Sequence, residues 1–164
     1  MIASLKLTKI VNCTLYKLYN AVNLKMKSLT TKTFDDIKTN HFKGAFAYDE
    51  VIDLPDGDWS IIVNTSPSSK PGEHWIAVVY KGGTTYFMDS YGRKLNHNET
   101  TFSHEFVDTM KTIVQGRVIC NHKILQQLTS NACGYYALYF VERLSVESLR
   151  QTMQPFSGNL KLDD

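Results

Sequence analysis

Cys133 is the side chain best suited to nucleophilic chemistry, and it stands between a polar run and an uncharged stretch. The polar run covers residues 126–131, and the uncharged residues 133–140 predict a helix that is buried on most sides. At the start of such a helix, unpaired amides and the helix dipole lower the pKa of a thiol. Gly134 would leave space beside the sulfur for a substrate backbone. The plain alternative is a small buried cysteine at a helix start.

A histidine and an aspartate are predicted to lie together on a β-hairpin. His74 begins the predicted strand 74–80, which is apolar on both faces and therefore central in a sheet. If the chain folds back at Gly82, Asp89 comes within a residue or two of the position opposite His74. Side chains opposite each other in an antiparallel pair are about 5 Å apart at Cβ, so a carboxylate can reach the imidazole.

These three side chains match the roles of nucleophile, base and orienting group. Asp89 would hold the ring of His74 in one tautomer, and His74 would take the proton of Cys133 and later deliver it to the leaving amine. The developing oxyanion needs hydrogen-bond donors. The candidates are the backbone amide of Cys133 and the side chain of Gln126 or Gln127.

The elements that would position these residues alternate between helical and extended patterns, which predicts an α+β fold with a mostly antiparallel or mixed central sheet packed against helices. The further predicted elements are an amphipathic helix over 14–29, a short helix near 34–37, a loop over 41–51, strands over 59–65, 84–92 and 117–121, a helix over 104–114, and a last short helix capped within 145–148.

Bulk composition indicates one globular domain. The chain of 164 residues is long enough to bury a core, and we divide it into a helical region 1–40, a catalytic core 41–144 and a C-terminal helix and tail 145–164. A net charge of +2 does not argue for nucleic acid binding. Three cysteines suit a reducing compartment, and no segment has the pattern of a signal peptide or a membrane span.

Four segments in a fixed order resemble the adenovirus maturation proteases, the adenain family. They are Ile-Val-Asn-Thr at 62–65, Gly-Glu-His-Trp at 72–75, Asp-Ser-Tyr-Gly at 89–92, and Gln-Gln-Leu-Thr-Ser-Asn-Ala-Cys-Gly at 126–134. The resemblance extends from about residue 42 to 144. In the same segments the chain also resembles the proteases of virophages and of Maverick/Polinton transposons. The SUMO-deconjugating proteases resemble the chain more distantly.

The resemblance implies a papain-like cysteine protease fold with His74, Asp89 and Cys133 as the catalytic residues. The acid is aspartate here, as in the SUMO proteases, where adenain has glutamate. Gap-free matching to adenain makes Gln126 the oxyanion glutamine and also brings Ser130 into register, whereas the spacing of the SUMO proteases selects Gln127. We favour Gln126.

The resemblance further implies an endopeptidase that cleaves viral capsid and structural precursor proteins after small residues such as Gly-Gly during virion maturation. It would act as a monomer in the cytoplasm, virus factory or nucleus of the host cell and be packaged in the virion. A deconjugase acting on ubiquitin-like Gly-Gly tails and a catalytically idle binding module of the same fold are the alternatives.

We expect no required cofactor, no metal and no membrane partner. A zinc site built from His97, His104, Cys120 and His122 lacks the usual ligand spacing. Adenain is activated by a short peptide and by DNA. The resemblance leaves activation by a peptide or by DNA open for this chain, although the sequence itself supports neither. The roles of Cys13 and Cys120 are also left open.

Overall fold

The computed structural model describes residues 29–50, 53–95 and 101–156. The predicted helix over 14–29 lies, except for its last residue, outside the described residues, as do Cys13 and His97. Within the described ranges, the strands are β1 (Phe42–Ala47), β2 (Trp59–Asn64), β3 (Trp75–Lys81), β4 (Thr84–Met88) and β5 (Arg117–Cys120). The α-helices there are α1 (His104–Ile113), α2 (Cys133–Leu144) and α3 (Leu149–Met153), and single 3₁₀ turns occur at Thr31–Phe34, Tyr48–Glu50 and Gln154–Phe156.

The five strands form one mixed sheet in the order β1-β2-β3-β4-β5. The central strand β3 pairs antiparallel with β2 and β4, whereas the outer strands β1 and β5 pair parallel with their neighbours. The expected α+β class, the mixed sheet and the central position of the strand after His74 are therefore confirmed.

Helices cover both faces of the sheet. Alternate side chains of a strand point to opposite faces, so Ala77 and Val79 pack with α2 while Ile76 and Val78 pack with α1. All four of these side chains are buried, and each fully buried Val or Ile contributes about 1.5–3 kcal/mol of transfer free energy. Apolar residues on both faces of β3 thus make it the rigid centre of the fold.

The prediction of a loop over residues 41–51 was wrong. This segment forms β1, which runs parallel to β2, and a 3₁₀ turn follows it. Gly44 has a φ of +136° and the register shifts between Phe42 and Ala45, so the segment does not show the alternating pattern of a regular strand. Parallel strands cannot be joined by a tight hairpin turn, so no local turn signal predicts the pairing of β1 with β2.

The two short helices expected from the sequence differ in how well they match the structure. In place of the short helix expected near residues 34–37, a single 3₁₀ turn covers Thr31–Phe34. The last helix, α3, begins after Ser148, whose side chain accepts a hydrogen bond from the backbone of Gln151 in a capping box. No helix among the described residues has the length and apolar character needed to cross a membrane.

Candidate active site

The β3–β4 hairpin brings His74 and Asp89 into contact. Ala77 pairs with Met88, and continuing that register places His74 opposite Tyr91, two residues beyond Asp89. His74 immediately precedes β3 and Asp89 immediately follows β4, so both lie at the same end of the hairpin. Nε2 of His74 is 2.6 Å from Oδ1 of Asp89, and both side chains are buried.

Asp89 is fully buried, and protein donors surround its carboxylate. Oδ1 also accepts a hydrogen bond from the Tyr91 amide, and Oδ2 accepts one from Nε of Arg93 at 2.5 Å. Burial alone would raise the pKa of Asp89, but the hydrogen bonds and positive charges of His74 and Arg93 outweigh it and lower the pKa. The carboxylate is therefore held in its ionised form.

Asn121, the residue directly after β5, holds the backbone of Asp89 by two hydrogen bonds. Its Oδ1 accepts the Asp89 amide at 2.7 Å, and its Nδ2 donates to the Asp89 carbonyl at 2.5 Å. Sequence analysis did not identify Asn121 or Arg93 as part of the site. Arg93 could have been considered as a partner of Asp89, because it lies only four residues further along the chain. Nothing in the sequence pointed to Asn121, which lies thirty-two residues away.

The hydrogen bond to Asp89 selects the tautomer of His74. An ionised carboxylate can only accept, so Nε2 carries the hydrogen and Nδ1 is the nitrogen left to bond the thiol of Cys133. Burial of His74 would lower its pKa, but the hydrogen bonds and negative charges of Asp89 and Cys133 outweigh burial and raise it. The imidazolium form is thus favoured when Cys133 is ionised.

Cys133 is the first residue of α2, and its pKa is lowered. Burial alone would raise the pKa of this thiol, but the hydrogen bond and charge of His74 and the backbone amides of Trp75 and Gly134 more than compensate. The Gly134 amide is one of the first helical N–H groups, which have no partner inside the helix. The same pair of shifts, down for Cys133 and up for His74, favours a thiolate–imidazolium pair.

Gly134 serves a different contact from the one that the sequence suggested. A Cβ at this position would lie 2.9 Å from Cβ of Leu29, so the space beside the helix start is filled by the protein itself. Trp75 holds the same segment, because its Nε1 donates to the Leu29 carbonyl at 3.0 Å. Gly134 therefore allows this segment to pack against α2. The expectation that Gly134 leaves room for a substrate backbone beside the sulfur stays a prediction.

The two candidate glutamines occupy different environments. Gln126 is 2% exposed, whereas Gln127 is exposed to solvent. Nε2 of Gln126 lies 2.6 Å from the Ser130 carbonyl, and because a carbonyl only accepts, this atom must be the amide nitrogen. Oε1 of Gln126 consequently accepts from Oγ of Ser90 at 2.7 Å. Gln126 is thus the glutamine that contacts the Asp-Ser-Tyr-Gly segment, and its amide hydrogens are engaged by the Ser130 carbonyl and the Tyr91 hydroxyl.

Each residue of the Asp-Ser-Tyr-Gly segment contributes to the site. Asp89 contacts the histidine, Ser90 holds the glutamine, and the ring of Tyr91 stacks on the His74 ring at 4.7 Å between centroids. Gly92 has a φ of +69°, and a Cβ there would lie 2.7 Å from the backbone of Lys123. This four-residue turn links the acid, the base and the glutamine.

A cleft of about 540 Å³ opens beside the thiol. Residues from the loop after β2, from the Asp-Ser-Tyr-Gly turn and from the segment before α2 line it together with Cys133; they include Gly72, Trp75, Tyr91, Leu128 and Asn131. Leu128 is 84% exposed on this cleft. Cys133 therefore lies on the wall of a cleft that is open to solvent.

The described part of the fold gives no support to a zinc site built from His97, His104, Cys120 and His122. Residues 29–50, 53–95 and 101–156 contain no group of three or more His, Cys, Asp or Glu side chains that could hold a metal ion. His97, one of the four residues considered, lies outside these ranges.

Comparison with known proteins gives no further assignment, because no protein-family profile and no curated protein matches the chain. The chemistry of the site must therefore be judged from its geometry. A thiol at a helix start, an imidazole bonded to it and a buried carboxylate behind the imidazole are the parts needed for acyl transfer through a thioester.

Proposed function

We propose that the chain is a cysteine endopeptidase in which Cys133, His74 and Asp89 act as nucleophile, base and orienting acid. One observation carries the proposal: the buried hydrogen-bonded series from Asp89 through His74 to a thiol with a lowered pKa at a helix N-terminus. A merely structural cysteine would not require a buried charged histidine–aspartate pair beside it.

The reaction follows from the atoms at the site. The Cys133 thiolate attacks the scissile carbonyl, a C–S bond forms and the carbonyl electrons move to oxygen. Imidazolium His74 then gives its Nδ1 proton to the leaving amine as the C–N bond breaks, which leaves a thioester. Neutral His74 next takes a proton from water, which attacks the thioester and releases the acid and the thiolate. Asp89 stabilises each cationic state of His74.

The proposed substrates are viral capsid and structural precursor proteins, cleaved after small residues such as Gly-Gly. Support comes from the resemblance to adenain-type proteases and from a five-stranded mixed sheet with the thiol at the start of a helix packed on it. The papain-like fold of the adenain type belongs to the same proposal. An activating peptide or DNA forms no part of it.

Incubation with natural precursors tests this function. The purified chain should cleave the structural proteins encoded beside its own gene, and sequencing of the new N-termini should place the cuts after small residues. The Cys133→Ala variant serves as the control and should give no new N-termini. Absence of cleavage by the wild type would contradict the maturation role, and selective cleavage of Gly-Gly fusions of a ubiquitin-like protein would instead indicate a deconjugase.

Gln126 and Gln127 offer a matched pair of variants for the oxyanion hole. We expect Gln126→Ala to lower kcat by about 100- to 1000-fold with little change in KM, the usual effect of losing one oxyanion donor, whether Gln126 bonds the oxyanion itself or holds another donor in place. Gln127→Ala should be nearly neutral, because its side chain is exposed to solvent. Parallel steady-state kinetics on one peptide substrate measure both. A large loss confined to Gln127→Ala would support the SUMO-protease spacing, and small losses in both would mean that neither glutamine serves the oxyanion hole.

A further inference from the structure

Tyr91 occupies a position that the proposed mechanism does not yet use. Its ring stacks on His74 with an interplanar angle of 22°, and the residue lines the same cleft as Cys133. Its hydroxyl is 3.2 Å from Nε2 of Gln126. Tyr91 therefore touches both the base and the glutamine of the proposed oxyanion hole.

The direction of the hydrogen bond to Gln126 is determined by its neighbours. One amide hydrogen of Gln126 is committed to the Ser130 carbonyl at 2.6 Å, and the second points to the Tyr91 hydroxyl, which accepts it. Among the residues that the structure describes, this is the only hydrogen bond of the hydroxyl. The phenolic hydrogen is consequently available to a group that enters the cleft.

The protonation state suits a donor. Burial and the negative charge of Cys133 raise the pKa of Tyr91 above its ordinary value, although Arg93 opposes them. The hydroxyl thus keeps its hydrogen at neutral pH. Accepting a hydrogen bond from Gln126 also polarises the O–H group, which makes it a better donor.

We propose that the Tyr91 hydroxyl is a donor of the oxyanion hole, alongside the backbone amide of Cys133. Gln126 acts through Tyr91 in this arrangement, because both of its amide hydrogens are already engaged. This inference rests on the proposed acyl-transfer activity. When the thiolate adds to the substrate carbonyl, the oxygen that gains the electron pair accepts a hydrogen bond from the Tyr91 hydroxyl, and no proton is transferred. Tyr91 is then a catalytic residue that contacts a reacting atom, with Gln126 holding its hydroxyl in place.

Tyr91→Phe isolates the hydroxyl, because the ring that stacks on His74 is retained. We expect kcat for a peptide with Gly-Gly before the cleavage site to fall on the order of 100-fold while KM changes little. A peptide aldehyde ending in Gly-Gly adds reversibly to Cys133 and places an oxygen in the same hole, and its affinity should fall at least about 10-fold. Tyr86→Phe, which removes a hydroxyl outside the cleft lining, should behave as the wild type.

Alkylation by iodoacetamide separates this role from a structural one. Displacement of iodide by the thiolate creates no oxyanion, so Tyr91→Phe should be alkylated at the wild-type rate across pH. A parallel fall in alkylation would show that Tyr91 acts through the His74–Cys133 pair and would overturn the proposal, as would unchanged kcat and aldehyde affinity. A wild-type chain that is alkylated but neither hydrolyses peptide nor binds the aldehyde would overturn the protease assignment as well.

Discussion

Cys133→Ala should abolish peptide hydrolysis, lowering kcat by about 10⁴- to 10⁶-fold, because the covalent nucleophile is lost. The fold should survive, since a methyl group replaces a small thiol at the start of α2. The N-cap of this helix, Ala132, has no side-chain capping hydrogen bond that the substitution could remove. Single-turnover assays measure the chemistry, and thermal unfolding monitors the fold.

Cys120→Ala is the matched control for this variant. Cys120 is the last residue of β5 and is only partly buried, and we assign it no role in the reaction. Its replacement should leave kcat within about a factor of two of the wild type. Hydrolysis that persisted in a pure Cys133→Ala preparation would rule out the cysteine-protease assignment.

His74→Ala should lose both hydrolysis and the reactivity of the thiol at mildly acidic pH. We expect kcat to fall by about 10⁴-fold or more. Burial raises the pKa of Cys133, and the hydrogen bond and charge of His74 are the largest effects that lower it, so that pKa should rise when His74 is removed. With a thiol pKa of about 8.5, less than about 1% is thiolate near pH 6, so alkylation there should slow by about 100-fold.

The pH dependence follows from the two opposite shifts. In the wild type, the lowered pKa of Cys133 keeps the thiolate populated as pH falls below the ordinary thiol range, and the raised pKa of His74 keeps the imidazolium populated as pH rises. Alkylation should therefore stay fast from neutral into mildly acidic pH and fall only when the thiolate is protonated. In His74→Ala the rate should instead rise toward alkaline pH.

His122→Ala provides the comparison, because His122 is exposed on the loop after β5. Its rate profile should match that of the wild type. Equal alkylation rates for His74→Ala and the wild type near pH 6 would mean that His74 does not stabilise the thiolate, and the ion-pair mechanism would fail.

The amino-acid sequence by itself determined the local elements of the site. The apolar strand after His74, the glycine turn and the return strand bring Asp89 close to His74 through contacts only fifteen residues apart, and the structure places the two side chains in a hydrogen bond. The helix that starts at Cys133 was predictable because the uncharged stretch begins there. Short-range periodicity and turn residues suffice for such elements.

Contacts that no periodic pattern or tight turn specifies were decided only by the tertiary structure. Strand β1 lacked an alternating pattern because its bulge and Gly44 interrupt it, and its pairing with β2 supplies the order that local sequence does not. Which of Gln126 and Gln127 is buried depended on Ser90 and Ser130, which bond the side chain of Gln126, whereas the side chain of Gln127 lies in solvent. Two adjacent glutamines have the same local preferences, so the sequence cannot tell which one is buried until the residues that bond them are known.

The surroundings of Asp89 show the same limit. A buried carboxylate requires donors, so its burial implies partners, but the sequence does not say which residues they are. Arg93 comes from the next turn, whereas Asn121 comes from the end of β5, thirty-two residues away. The sequence assigned Tyr91 no role of its own. Only the fold shows that its ring stacks on His74 and that its hydroxyl lies beside Gln126. The sequence gives the chemical type of each side chain. The direction in which a side chain points depends on which strands and loops pack together.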